Sequence, residues 1–206
     1  MTVPSTRGLA RLLPQPPRVP TPLGAVRFSG VLGSWHIAPR PATAFRLPSG
    51  GTLSRWTHRA VTLDLLTGPL PTPGSPWGAV WYVVAHRGLE VVDLTLDLPG
   101  ATGSLDSSTL TVTEAGTQVT LAGPAPDALA AYAREGTHLP ARWATAPGTV
   151  TQTAAGALTW RLPALLPGEH ARIGTAVAWN SASAEDAAWF AAAVPLETSL
   201  AALVGH

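Results

Sequence analysis

The sequence predicts a mainly β protein: an antiparallel β-sandwich with a short inserted helix and a helical C-terminal segment. Three observations lead there. Trp77 to Ala85 is apolar on both alternating faces, with Trp77, Ala79, Trp81, Val83 and Ala85 on one and Val80, Tyr82 and Val84 on the other. Such a strand belongs in the middle of a sheet covered on both sides. Leu89 to Leu98 alternates cleanly, with Val92, Leu94, Leu96 and Leu98 facing one way and Asp93, Thr95 and Asp97 the other, the period of a half-buried strand. Third, the pair is rich in β-branched residues and bounded by Gly and Pro, which argues against helix.

The elements follow in order. Residues 1–23 hold six Pro and read as a flexible arm in extended geometry, unable to form a ladder. Residues 24–182 read as the β-sandwich domain. Ala25 to Ile37 is a strand interrupted at Gly30 and Gly33, with Val26 and Phe28 inward and a bulge before Trp35. Thr43 to Leu47 is a short strand, Ser49-Gly50-Gly51 a turn, and Thr52 to Leu66 one longer β segment. Gly68 to Pro76 is loop. Trp77 to Leu98 supplies the central strands, read as neighbours. Leu110 to Leu121 forms a hairpin around Ala115-Gly116. Asp127 to Glu135 reads as the inserted helix, closed by Gly136. Arg142 to Ala144 is a short strand, Thr149 to Leu162 a second hairpin, and Ala171 to Trp179 a strand. Residues 183–206 read as helical, opening on Ser183-Ala184-Glu185-Asp186, with acids at the positive end of the dipole.

Composition bounds the function. Apolar residues make up 46% of the chain and charged residues 12%, about half the usual charged share. That predicts a surface covered in the working state, by partners or by further copies, or else a Thr/Ser/Ala/Pro-rich monomer surface. With no Cys in the chain, disulfides and thiolate metal sites are excluded. No apolar run approaches the roughly 20 residues that span a bilayer, and the N-terminus shows no apolar region of a secretory signal.

Charge is lopsided. Eight of the thirteen Arg precede the first acid, Asp64, so that part carries +8; the remainder, with five Arg and twelve acids, carries 5 − 12 = −7. Either the two parts neutralise each other within one subunit, or the basic part faces something anionic: a neighbouring copy, a nucleic acid or an acidic polymer.

Three segments together carry a family resemblance: Thr95-Leu96-Asp97-Leu98-Pro99-Gly100, then Leu158-Thr159-Trp160, then Leu165-Leu166-Pro167-Gly168-Glu169-His170-Ala171-Arg172-Ile173. They resemble the Ig-like conserved-repeat domain of bacterial surface proteins. There a strand ends in a Pro-Gly-type turn, a later strand carries Trp, and a Gly-Glu segment leads into the final strand. The resemblance implies an Ig-like sandwich, a structural role and a location at a cell surface or virion. It supplies no catalytic residues.

No catalytic, cofactor or metal motif is present. The six His are scattered, without the convergent spacing zinc needs, and no Gly-x-Ser-x-Gly elbow supports a triad. Gly50-Gly51 lacks the Lys of a phosphate loop. The expectation therefore leans away from an enzyme. Trp77, Trp81 and Trp160 are expected in the core. Trp35, Trp56 and Trp143, beside Arg or His, are candidates for a binding face. The partner-binding candidates are these three Trp and Arg7, Arg11, Arg18, Arg27, Arg40 and Arg46. The leading reading is a non-enzymatic subunit that self-assembles, as a surface layer, filament or virion shell, into a homo-oligomer or larger array. The alternatives are a carbohydrate- or polymer-binding module and a nucleic-acid binder.

Overall fold

The structure, a computed structural model, describes residues 8–70, 76–106, 109–123, 149–153, 156–162, 164–179 and 202–205. The inserted helix expected over 127–135, the strand over 142–144, Arg7, Trp143 and most of the helical segment 183–206 lie outside them. Among these residues fifteen strands are defined, and their pairings are antiparallel throughout. They are β1 Arg11–Leu12, β2 Arg18–Thr21, β3 Gly24–Leu32, β4 Trp35–His36, β5 Thr43–Arg46, β6 Thr52–His58, β7 Val61–Pro69 and β8 Trp77–Ala85. They continue with β9 Val91–Asp97, β10 Ser104–Asp106, β11 Thr109–Glu114, β12 Thr117–Ala122, β13 Thr149–Thr153, β14 Ala157–Arg161 and β15 His170–Trp179.

The strands form two packed sheets. The larger runs β1-β5-β6-β7-β8-β15-β12-β11-β10, and the smaller β13-β14-β9-β3-β2 with β4 sharing the second edge of β3. The expected β-sandwich is thus observed, and β8, apolar on both faces, is fifth of nine strands in its sheet. Ala115 (φ 49°) and Gly116 (φ 79°) both have positive φ, as a two-residue hairpin turn between β11 and β12 requires.

Three expectations are revised. β8 and β9 are not neighbours but lie in opposite sheets; the turn at Arg87–Gly88 carries the chain across the core. Thr52 to Leu66 is a hairpin, folded at Arg59–Ala60, with Arg55 opposite Asp64. The Pro-rich N-terminal segment contributes β1 and β2, paired to β5 and β3. Pro denies a strand its N–H only at its own position, which an edge strand tolerates.

The core between the sheets is centred on Trp81, fully buried, with Phe28 of the facing sheet edge-on to it at 5.9 Å and Trp56 at 6.2 Å. From the smaller sheet Val26, Leu94, Leu96, Leu158 and Trp160 fill the same space. A second cluster covers the other face of the larger sheet: Leu53, Leu66 and Val80 under Leu203 and Val204, with residues 202–204 helical. Ser49 donates to the Leu203 carbonyl, tying the C-terminal turn to the β5–β6 turn. Gly51 lies so close to β7 that a Cβ there would collide with the Thr67 carbonyl oxygen. No helix among the described residues is long and apolar enough to cross a membrane.

Leu203 is fully buried in the outer cluster, so Leu203→Ala is expected to cost about 2–5 kcal/mol in denaturant unfolding. A cost near zero would show that the C-terminal turn does not seal this sheet.

Candidate functional site

Among the described residues the larger sheet is wider than the smaller, and a concave feature lies at one side of the sandwich. The chain leaves β1 in the larger sheet and enters β2 in the smaller. Between them Pro14, Pro16 and Pro17 prevent ladder formation, so the segment crosses the gap as a strap, anchored by the buried Val19. Behind it lies a cleft of about 630 Å³, lined by Leu12, Leu13, Gln15, Pro16, Pro17, Arg18, Pro20 and Ala25 on one side and Ala44, Thr52, Ser54 and Thr67 on the other. That volume is in the range of small-ligand sites.

The floor is set by register. Thr52 lies directly opposite Thr67, and Ser54 directly opposite Ala44 and Leu65. Alternation along β6 gives Thr52 and Ser54 the same face as Trp56, which belongs to the core. The floor is therefore an extension of the core face where hydroxyls replace hydrocarbon. Ser54 is 4% and Thr67 7% exposed. Their hydroxyls and that of Thr52 have no hydrogen-bond partner among the described residues.

Basic groups flank this floor. Arg18 lines the cleft and is exposed. Arg46 is exposed and sits directly opposite Thr52, so Arg46, Thr52 and Thr67 form one cross-strand row. No carboxylate or imidazole is among the described lining residues, and neither Arg18 nor Arg46 has an ion-pair partner among the described residues. Arg27 is directly opposite Arg18 on one side and Asp97 on the other. Half-burial raises the Asp97 carboxyl above its ordinary range, and the Arg27 charge works in the opposite sense.

The other candidates lie elsewhere. Arg11 precedes Leu12, and alternation turns it to the opposite face of β1; Arg40 is exposed in the loop after β4. Trp56 does not offer a binding face: it is buried in the core, its indole donating to the Ala38 carbonyl at 2.9 Å. Trp35 is half-buried, stacked on His58 at 4.8 Å. Of the candidates named from the sequence, Arg18 is thus the one that lines the cleft, and Arg46 adjoins it through its register with Thr52. Thr52, Ser54 and Thr67 belong to no motif. Thr52 and Ser54 nonetheless carry a signal, being polar residues in the register that Trp56 fixes as inward-facing.

These features define a two-layer antiparallel β-sandwich with a lateral cleft. No protein-family model and no curated protein matches the chain. Seven solved chains do. One is described as "Putative kojibiose phosphorylase from human microbiome", with a TM-score of 0.52 and 10% identity over 87% of this chain and 26% of that one. The chain thus spans about a quarter of that protein's length, and at this identity the likeness is one of fold.

The raised Asp97 carboxyl sets a pH dependence. In the acidic window above the ordinary aspartate range, the folded state holds a proton that the unfolded chain has released, so stability falls as pH rises through that window. Asp97→Asn is expected to flatten this slope in thermal melts, and Arg27→Gln to steepen it by removing the opposing charge. A slope unchanged in Asp97→Asn would assign the effect to other groups.

Proposed function

We propose that this chain is a non-enzymatic carbohydrate-binding module that holds a glycan in the lateral cleft. The observation that carries the reading is the floor: Thr52, Ser54 and Thr67, whose hydroxyls have no partner among the described residues, line the cleft together with Gln15 and the Pro residues of the strap. Hydroxyl and amide groups exchange hydrogen bonds with sugar hydroxyls in both directions, and Pro rings offer apolar surface to the faces of a pyranose. The described lining has donors and acceptors to hold a sugar; it has no pair of carboxylates of the kind that cleaves a glycosidic bond. The sugar in the structural neighbour's name supports the same ligand class. So does the resemblance to the Ig-like conserved-repeat domain of bacterial surface proteins, which favours a location where glycans are displayed. In this proposal the cleft replaces the Trp face expected from sequence.

A glycan array followed by titration calorimetry tests it. Ser54→Ala and Thr67→Val are expected to weaken binding roughly two- to tenfold each, from the loss of one hydrogen bond, with unchanged circular dichroism. Absence of any bound glycan removes the reading.

A second reading, the self-assembling structural subunit, is favoured by two large apolar side chains left in solvent, Leu13 at 86% and Leu166 at 60% exposure. Low charge across the chain supports it too. It predicts assembly in sedimentation velocity that Leu13→Ser with Leu166→Ser abolishes. A monomer at every concentration tested would remove it.

A further inference from the structure

The arginines at the cleft narrow the ligand class. From their placement we infer that the cleft selects an acidic glycan, one bearing uronate carboxylates or sulfates, gripped by Arg18 and Arg46. This inference rests on the carbohydrate reading and deepens it.

Arg18 is part of the cleft wall, and Arg46 ends the cross-strand row that continues through Thr52 and Thr67 along the floor. One cation thus belongs to the strap side of the cleft, and the other stands next to Thr52 at the margin of the floor. Both are exposed, and neither meets a carboxylate among the described residues. Arg18 is moreover held directly opposite Arg27. Like charges facing each other across an antiparallel pair are destabilising. Arg27 is offset by Asp97 on its other side, while Arg18 has no such offset among the described residues. A guanidinium pairs with a carboxylate or sulfate through two parallel hydrogen bonds, so the contact fixes orientation as well as sign.

Nucleic acid is the rival polyanion. Single-stranded binding relies on aromatic platforms for base stacking, and the described lining holds no aromatic side chain. Hydroxyls and an amide suit sugar hydroxyls instead.

The test is calorimetric titration of the whole chain with a short oligogalacturonate, with the same oligomer as its neutral methyl ester, and with single-stranded DNA of similar charge. The acid is expected to bind and the ester to bind at least tenfold more weakly, with affinity for the acid falling as salt screens the pairs. Arg18→Gln and Arg46→Gln are each expected to weaken the acid about tenfold with unchanged circular dichroism and no lowering of the melt, while Arg40→Gln, away from the cleft, leaves binding unchanged. Equal binding of acid and ester overturns the charge selectivity but keeps the carbohydrate reading. Binding of neither sugar overturns both. Tighter binding of the DNA, sensitive to the same two substitutions, overturns the glycan in favour of nucleic acid.

Discussion

The architecture depends on β8, a strand apolar on both faces in the centre of a nine-stranded sheet. Each face demands its own cover. Inward, Trp81 is sealed by Phe28 from the opposite sheet and by Trp56 from its own. Outward, Val80 with Leu66 and Leu53 needs a third layer, and Leu203 and Val204 provide one. Burial at about 25 cal/mol per Å² of apolar area makes both seals worth several kcal/mol. The molecule is therefore a sandwich with a patch on its back, and residues 202–204 belong to the fold.

Reading β8 as a central strand requires only its two apolar faces, and reading β9 as half-buried only its alternation. Hydropathy does not state which sheet each joins. The polar row of β9 decides it. β9 turns Asp93, Thr95 and Asp97 to one side; next to β8 they would have lain against the covered back of the larger sheet. Joining the smaller sheet leaves that row half-exposed, where Asp93 reaches Arg161 at 3.6 Å and Thr95 reaches Thr159 at 3.2 Å. The exception shows the cost. Asp64 does sit on the back of the larger sheet, 2% exposed, and it carries a bidentate Arg55 at 2.7 Å on both oxygens. An unpaired carboxylate there would be heavily penalised. The same alternation explains Trp56: its neighbour Arg55 faces the back, so Trp56 faces the core, and proximity to Arg in sequence is no guide to exposure.

The charge asymmetry resolves in part within the subunit. Arg55 with Asp64 and Arg27 with Asp97 each join the basic front to the acidic rear. Both pairs fall where β6–β7 and β3–β9 bring the halves into register, an arrangement invisible without strand pairing. Arg18 and Arg46, without an ion-pair partner among the described residues, lie at the margin where β2 ends one sheet and β5 nears the end of the other.

That margin is also why a cleft exists. Two sheets of equal width close over each other; among the described residues one has nine strands and the other a path of five with β4 beside it. Somewhere the inner face of the wider sheet must run out of partners. A chain with hydrocarbon at those positions would expose a greasy strip. This one places Thr52, Ser54 and Thr67 there and stretches a proline strap across the gap. Prolines spare the strap the unpaired donors that an ordinary segment would carry past a sheet edge, and their fixed φ limits how far it can collapse into the gap. The hydroxyl floor and the rigid strap are thus one solution to one geometric problem.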